Sequence, residues 1–118
     1  MVTVDQLTEA ALKRDNFTLR NLVQDLMREA KPLRDYPRPR TDDPVAMAIA
    51  AGLLELLALR VRQQPPVWTS EVGPSPKPMF LITAAESMKR LRKLCETESP
   101  EPLRRRLLYA PPNFLEFV

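Results

Sequence analysis

Histidine is missing from this chain, cysteine occurs once and glycine twice. Without histidine the chain lacks the commonest general base and the commonest metal ligand. The single cysteine, Cys95, excludes an internal disulfide, which fits a reducing cytoplasm. It falls on the inward side of a predicted helix with no histidine to activate it, so it reads as core. No pair of cysteines offers metal-ligand spacing. Gly52 and Gly73, isolated from each other, cannot build a glycine-rich phosphate loop. The carboxylate pairs Glu96/Glu98 and Asp42/Asp43 read as a solvated helix end and a helix cap. An active site is therefore not expected, and neither is a cofactor, a metal or a tightly held nucleotide.

Long apolar runs are also scarce. Val45 to Leu59 is the most apolar stretch, but Glu55 interrupts it and it falls short of the roughly 20 residues a membrane span needs. It reads as a buried helix. The N-terminus carries Asp5 and Glu9 early and has no compact apolar run, so it does not read as a secretory signal.

Against two glycines stand thirteen prolines. Helices broken by stiff proline joints explain that ratio better than a sheet with glycine turns. The length of 118 residues fits one domain, and 44% hydrophobic residues can supply its core. No internal repeat is present. A net charge of +3 and a pI of 9.4 allow an acidic or polyanionic partner without demanding one.

The expected fold is all-α: a small irregular bundle of four to five helices over residues 1–118, with a proline-rich loop and an extended C-terminal tail. Val2 to Lys13 has a weak helical pattern. Asp15 or Asn16 can cap a second helix, striped by Leu19, Leu22, Val23, Leu26, Met27 and Ala30 and stopped by Pro32. Residues 32–43 read as a stiff polar link. Asp43-Pro44 starts a third helix that runs to Arg62 or Gln63 and is apolar nearly all round, as in a bundle's centre or an oligomer interface. Ala48, Ala50, Ala51 and Gly52 would let a neighbour approach it closely. Residues 65–80 form the proline-rich loop. Thr83 to Glu86 has the capping-box pattern and opens a helix to about Glu98. Ser99-Pro100-Glu101 starts a short helix through Arg104–Leu108. Pro111-Pro112 then extends the chain.

The functional candidates lie toward the C-terminus. Residues 99–118 combine Arg104, Arg105 and Arg106 with Tyr109, Asn113, Phe114 and Phe117, in a region where chain ends usually fray. Arg and aromatic residues are the usual interface anchors. Trp68, flanked by prolines, either belongs to a recognition surface or covers one end of the bundle. Lys89, Arg90, Arg92 and Lys93 join the three arginines as a basic cluster. It reads as a solvated face, a nucleic-acid contact or a contact for an acidic protein.

The stretch W-T-S-E-V-G-P-S-P-K-P-M-F-L, with L-R-K-L-C-E-T-E-S-P-E-P-L-R-R-R-L-L-Y-A-P-P-N-F-L-E-F after it, resembles the antitoxins of bacterial Men-type toxin–antitoxin systems. The resemblance covers roughly residues 17–118 and is strongest from Pro65 onward. It implies a cytoplasmic antitoxin whose partner is a nucleotidyltransferase-like toxin that adds nucleotides to the tRNA acceptor end. The matching positions Trp68, Arg104, Arg105, Arg106, Tyr109, Asn113, Phe114 and Phe117 would meet the toxin. Some relatives are proposed to promote toxin phosphorylation; this chain offers no kinase motif, so occlusion is the expected mode. The alternatives are a basic nucleic-acid-binding regulator and a structural adaptor. The all-round apolar helix 44–62 further predicts a chain that forms a homo-oligomer or needs its partner.

Overall fold

Asp43 and Pro44 start the helix around which the rest is built. The Asp43 carboxylate accepts from the Val45 N–H at 3.0 Å, and Pro44 sits in the first turn, where its missing N–H has no intrahelical partner to lose. This helix, α3, runs Pro44–Val61 and ends where Arg62 turns left-handed at φ 58°. In the computed structural model, which describes residues 1–116, Ala46 to Ala58 are buried without a break. The chain's own elements supply that cover. Three of them pack on α3: α1 (Val4–Leu12), α5 (Glu101–Arg104) and the 3-10 turn Val67–Glu71. By length and composition alone α3 is apolar enough to cross a membrane, and 67% of that stretch is buried inside the protein, as for the central helix of a bundle.

α1 begins at a capping box that sequence reading missed, although its pattern, Thr3-x-x-Gln6, is present. The Thr3 hydroxyl accepts from Gln6 N–H, and the Gln6 side chain accepts from Thr3 N–H. Asp15 caps α2 (Asn16–Arg28) as expected, accepting from Thr18 N–H at 3.1 Å. Leu19, Val23 and Leu26 of the predicted stripe are buried. Ala30 is exposed, because the helix has already ended. The polar link is less detached than its composition suggests. Leu33 and Tyr36 are buried around a 3-10 turn, Leu33–Asp35. The Glu29 carboxylate holds both the Tyr36 hydroxyl, at 2.8 Å, and the Val2 N–H, at 2.7 Å.

The second half of the chain is held differently. Residues 79–80 and 108–109 form two short parallel strands, β1 (Met79–Phe80) and β2 (Leu108–Tyr109), with Met79 opposite Leu108 and Phe80 opposite Tyr109. Backbone bonds extend the pairing from Ser75 N–H to Arg106 C=O and from Leu81 N–H to Tyr109 C=O, both 2.9 Å. The predicted helix 83–98 is split. Thr83–Glu86 is a 3-10 turn, and α4 is Lys89–Glu98. The capping box fails because the Glu86 carboxylate pairs with Arg14 instead of returning to Thr83. The N–H groups of Ser87 and Met88 both end on the Ala84 carbonyl, which closes the turn. Ser99 likewise does not cap α5; it is the C-cap of α4. Its buried hydroxyl accepts from Ala110 N–H at 3.0 Å and faces the Cys95 carbonyl, and α5 is only four residues long. Beyond β2 the chain turns over residues 112–116, with Leu115 at φ 57°. Phe114 and Leu115 close on the core. The described residues thus form an all-α bundle of five helices with one minimal sheet.

Candidate functional site

A carboxylate inside an apolar helix needs a cation, and α3 has one such residue. Glu55 is 7% exposed, halfway along the buried run. The turn after α5 delivers two arginines to it. Arg106 reaches it with both terminal nitrogens, one of them 3.1 Å from Oε2, and Arg105 pairs with Oε1 from the solvent side. Arg106 is itself 4% exposed and also donates to the carbonyls of Thr69, at 2.8 Å, and Pro102, at 3.1 Å. Leu107, at φ 62°, then redirects the chain into β2. Burial by itself raises the Glu55 carboxyl's proton affinity. The hydrogen bonds from Arg106 and Arg105 outweigh it and hold the group below the ordinary carboxylate range. One arginine thereby joins α3, α5 and the 3-10 turn that follows Pro65-Pro66.

The triple arginine is therefore divided by role. Arg106 is internal and offers no surface to a partner. Arg105 keeps half of its side chain in solvent while one edge holds Glu55. Arg104 is on the outside, donating to the Thr97 carbonyl at 3.1 Å and to Glu101 at 3.0 Å. The aromatic candidates divide in the same way. Phe114 is buried, 8% exposed, under a clasp in which the Arg60 guanidinium donates to the carbonyls of Pro112 and Phe114. Tyr109 is half-buried against Phe80, with ring centres 5.5 Å apart, and the Arg92 guanidinium lies over Phe80 at 5.1 Å. Trp68 is half-buried and donates from Nε1 to the Tyr36 carbonyl at 2.9 Å, which fastens the proline-rich loop to the 32–43 link. Asn113 is exposed beside an apolar recess lined by Leu19, Ile82 and Phe114. Phe117 lies outside the described residues.

The α4 face completes the basic surface. Lys89, Arg90, Arg92 and Lys93 all face solvent. Arg92 also pairs with Glu96 at 3.3 Å. The structure thus brings Arg92, Phe80 and Tyr109 together and leaves Trp68 on a separate contact. Sequence reading missed Glu55, Arg60 and Phe80. A lone acid in an apolar helix was the signal for Glu55, since a buried charge requires a partner. Nothing local signals the other two, whose roles come from contacts distant in sequence.

Other chemistry is sparse. Among the described residues no three His, Cys, Asp or Glu side chains cluster as metal ligands. Burial pushes the Cys95 thiol up, which keeps it protonated and inert. The cleft between α1 and α2 contains Glu9, Lys13 and Asp15, but Glu9 pairs with Lys13 and Asp15 is the α2 cap. What remains is a cationic and partly aromatic outer surface on the C-terminal third. No family model, curated protein or solved structure matches this chain.

Proposed function

We propose that this chain is a cytoplasmic antitoxin that binds and silences a nucleotidyltransferase-like toxin, acting by occlusion and not by catalysis. The observation that carries the reading is the two-sided build of residues 103–114. Leu103, Arg106, Leu108, Ala110 and Phe114 lock inward, so Arg104, Arg105 and Tyr109 are presented on a backbone that is already ordered. Association then loses little further chain entropy, and pre-organised arginines favour a partner with carboxylates on its surface. The resemblance of the stretch from Pro65 onward to Men-type antitoxins supplies the identity of that partner. Asn113 lies on a separate recess with Leu19 and Ile82. Trp68 works from the inside, by holding the loop.

Coexpression with the product of the adjacent reading frame tests this. The expected result is that the neighbour is a nucleotidyltransferase-like protein, that it copurifies with this chain, and that cells are rescued from it. The double variant Arg104→Ala/Tyr109→Ala should keep its melting temperature within a few degrees and weaken the complex roughly tenfold or more. A neighbour of another kind, or a toxin that is neither bound nor silenced by the wild-type chain, overturns the reading.

A further inference from the structure

The cations of α4 are placed against the interests of their own helix. Lys89, Arg90, Arg92 and Lys93 occupy its N-terminal half, and Glu96 and Glu98 its C-terminal end. A helix dipole favours the reverse arrangement. No acidic residue stands in the first turn, no basic residue in the last, and no side chain caps the start. Among the described residues Lys89, Arg90 and Lys93 have no acidic partner. Fold stability does not account for four cations in that order.

Helical spacing places Lys89, Arg92 and Lys93 on one face, at positions i, i+3 and i+4, with Arg90 flanking it. Lys89 and Lys93 are separated by about 6 Å along the axis. Arg92 carries the face onto the Phe80 ring at 5.1 Å, and Tyr109 adjoins Phe80. We propose that this face binds single-stranded nucleic acid, with Lys89, Lys93 and Arg90 on successive phosphates and the Phe80–Tyr109 pair as a platform for one base. Cations that track a backbone beside partly exposed aromatic rings are the recognition chemistry of single strands, which needs no groove-reading helix. An acidic protein surface would draw on the same cations, and competition by polyglutamate separates the two. The inference does not depend on the toxin reading.

Fluorescence anisotropy of the full chain with a labelled oligouridine of about 15 nucleotides tests it. Binding is expected in about 50 mM salt and should weaken roughly 20-fold by about 200 mM, the loss for three phosphate contacts on a single strand. Lys89→Gln/Lys93→Gln should not lower the circular-dichroism melt and should reduce that salt-dependent loss to roughly threefold, the value for one remaining contact. Tyr109→Leu, with its melt checked alongside, should weaken the oligouridine while leaving the salt slope alone. The inference is overturned by no binding at low salt, or by equal binding of the Lys89→Gln/Lys93→Gln variant. Equal affinity for a duplex of the same length removes the stacking role, and equal competition by polyglutamate assigns the face to an acidic protein; either result overturns it as well.

Discussion

α3 and α4 are opposite solutions to making a helix. α3 has almost no polar surface and is buried along thirteen consecutive residues, Ala46 to Ala58. α4 buries only Cys95 fully and shows its charges to solvent. Burial at about 25 cal/mol per Å² makes the first helix the main source of cohesion. The second contributes little to stability, so its residues are free to be chosen for contact. The contrast teaches where to look for each effect: α3 variants should change folding, and α4 variants should change binding.

The contrast is tested hardest at Glu55. Glu55→Ala leaves Arg106 charged and buried, and a broken buried pair of this kind typically loses about 4 kcal/mol. Urea unfolding should show that loss. If the midpoint hardly moves, α3 does not depend on its one charge. The same group sets an acid limit. Its carboxyl is held below the ordinary value of 4.5, so the unfolded chain binds the proton more readily. The stabilisation is complete above that value and disappears as pH falls through the lowered one. In Glu55→Gln that part of the acid sensitivity should be absent.

Phe114→Ala comes next, at about 3 kcal/mol, because the ring is buried but lies at the margin of the core. The corresponding thermal melt would separate a core residue from an interface residue, since the latter leaves the melt unchanged. Arg62→Gly should stabilise by about 1 kcal/mol, because a left-handed residue closes α3 where glycine carries no penalty. The smallest effect belongs to α4. Lys89→Glu corrects one reversed charge and should raise the melting temperature by about 2 °C while weakening any bound polyanion. A fall in melting temperature would mean that the basic face supports the fold after all.

The parts of the fold that were legible in sequence are those whose cause is local. Asp15 and Asp43 cap their helices because a carboxylate needs to reach only two or three residues ahead. The stripe of α2 and the apolar run of α3 follow from helical periodicity. Where a side chain had a competing distant partner, local signals misled. Glu86 completed a capping box on paper and joined Arg14 in the fold, and Ser99 turned to Ala110. The candidate surface was legible as a region and not residue by residue. Arg104, Arg105 and Arg106 are identical in type, and only the position of Glu55 decides which one faces inward. The minimal sheet gave no signal at all, because two-residue strands carry no alternation to detect.

The pairing of Glu55 with Arg105 and Arg106 also orders events in time. These partners are 50 and 51 residues apart, and synthesis at about 5–20 residues per second separates their appearance by roughly 3–10 s. During that interval α3 exists with an uncompensated acid in its middle and without the α5 side of its packing. A chain cut short before Arg106 would keep its most apolar segment open to proteases and chaperones. The turn after α5 thus completes the cover of α3, and truncation before Arg106 should raise the chain's sensitivity to proteolysis.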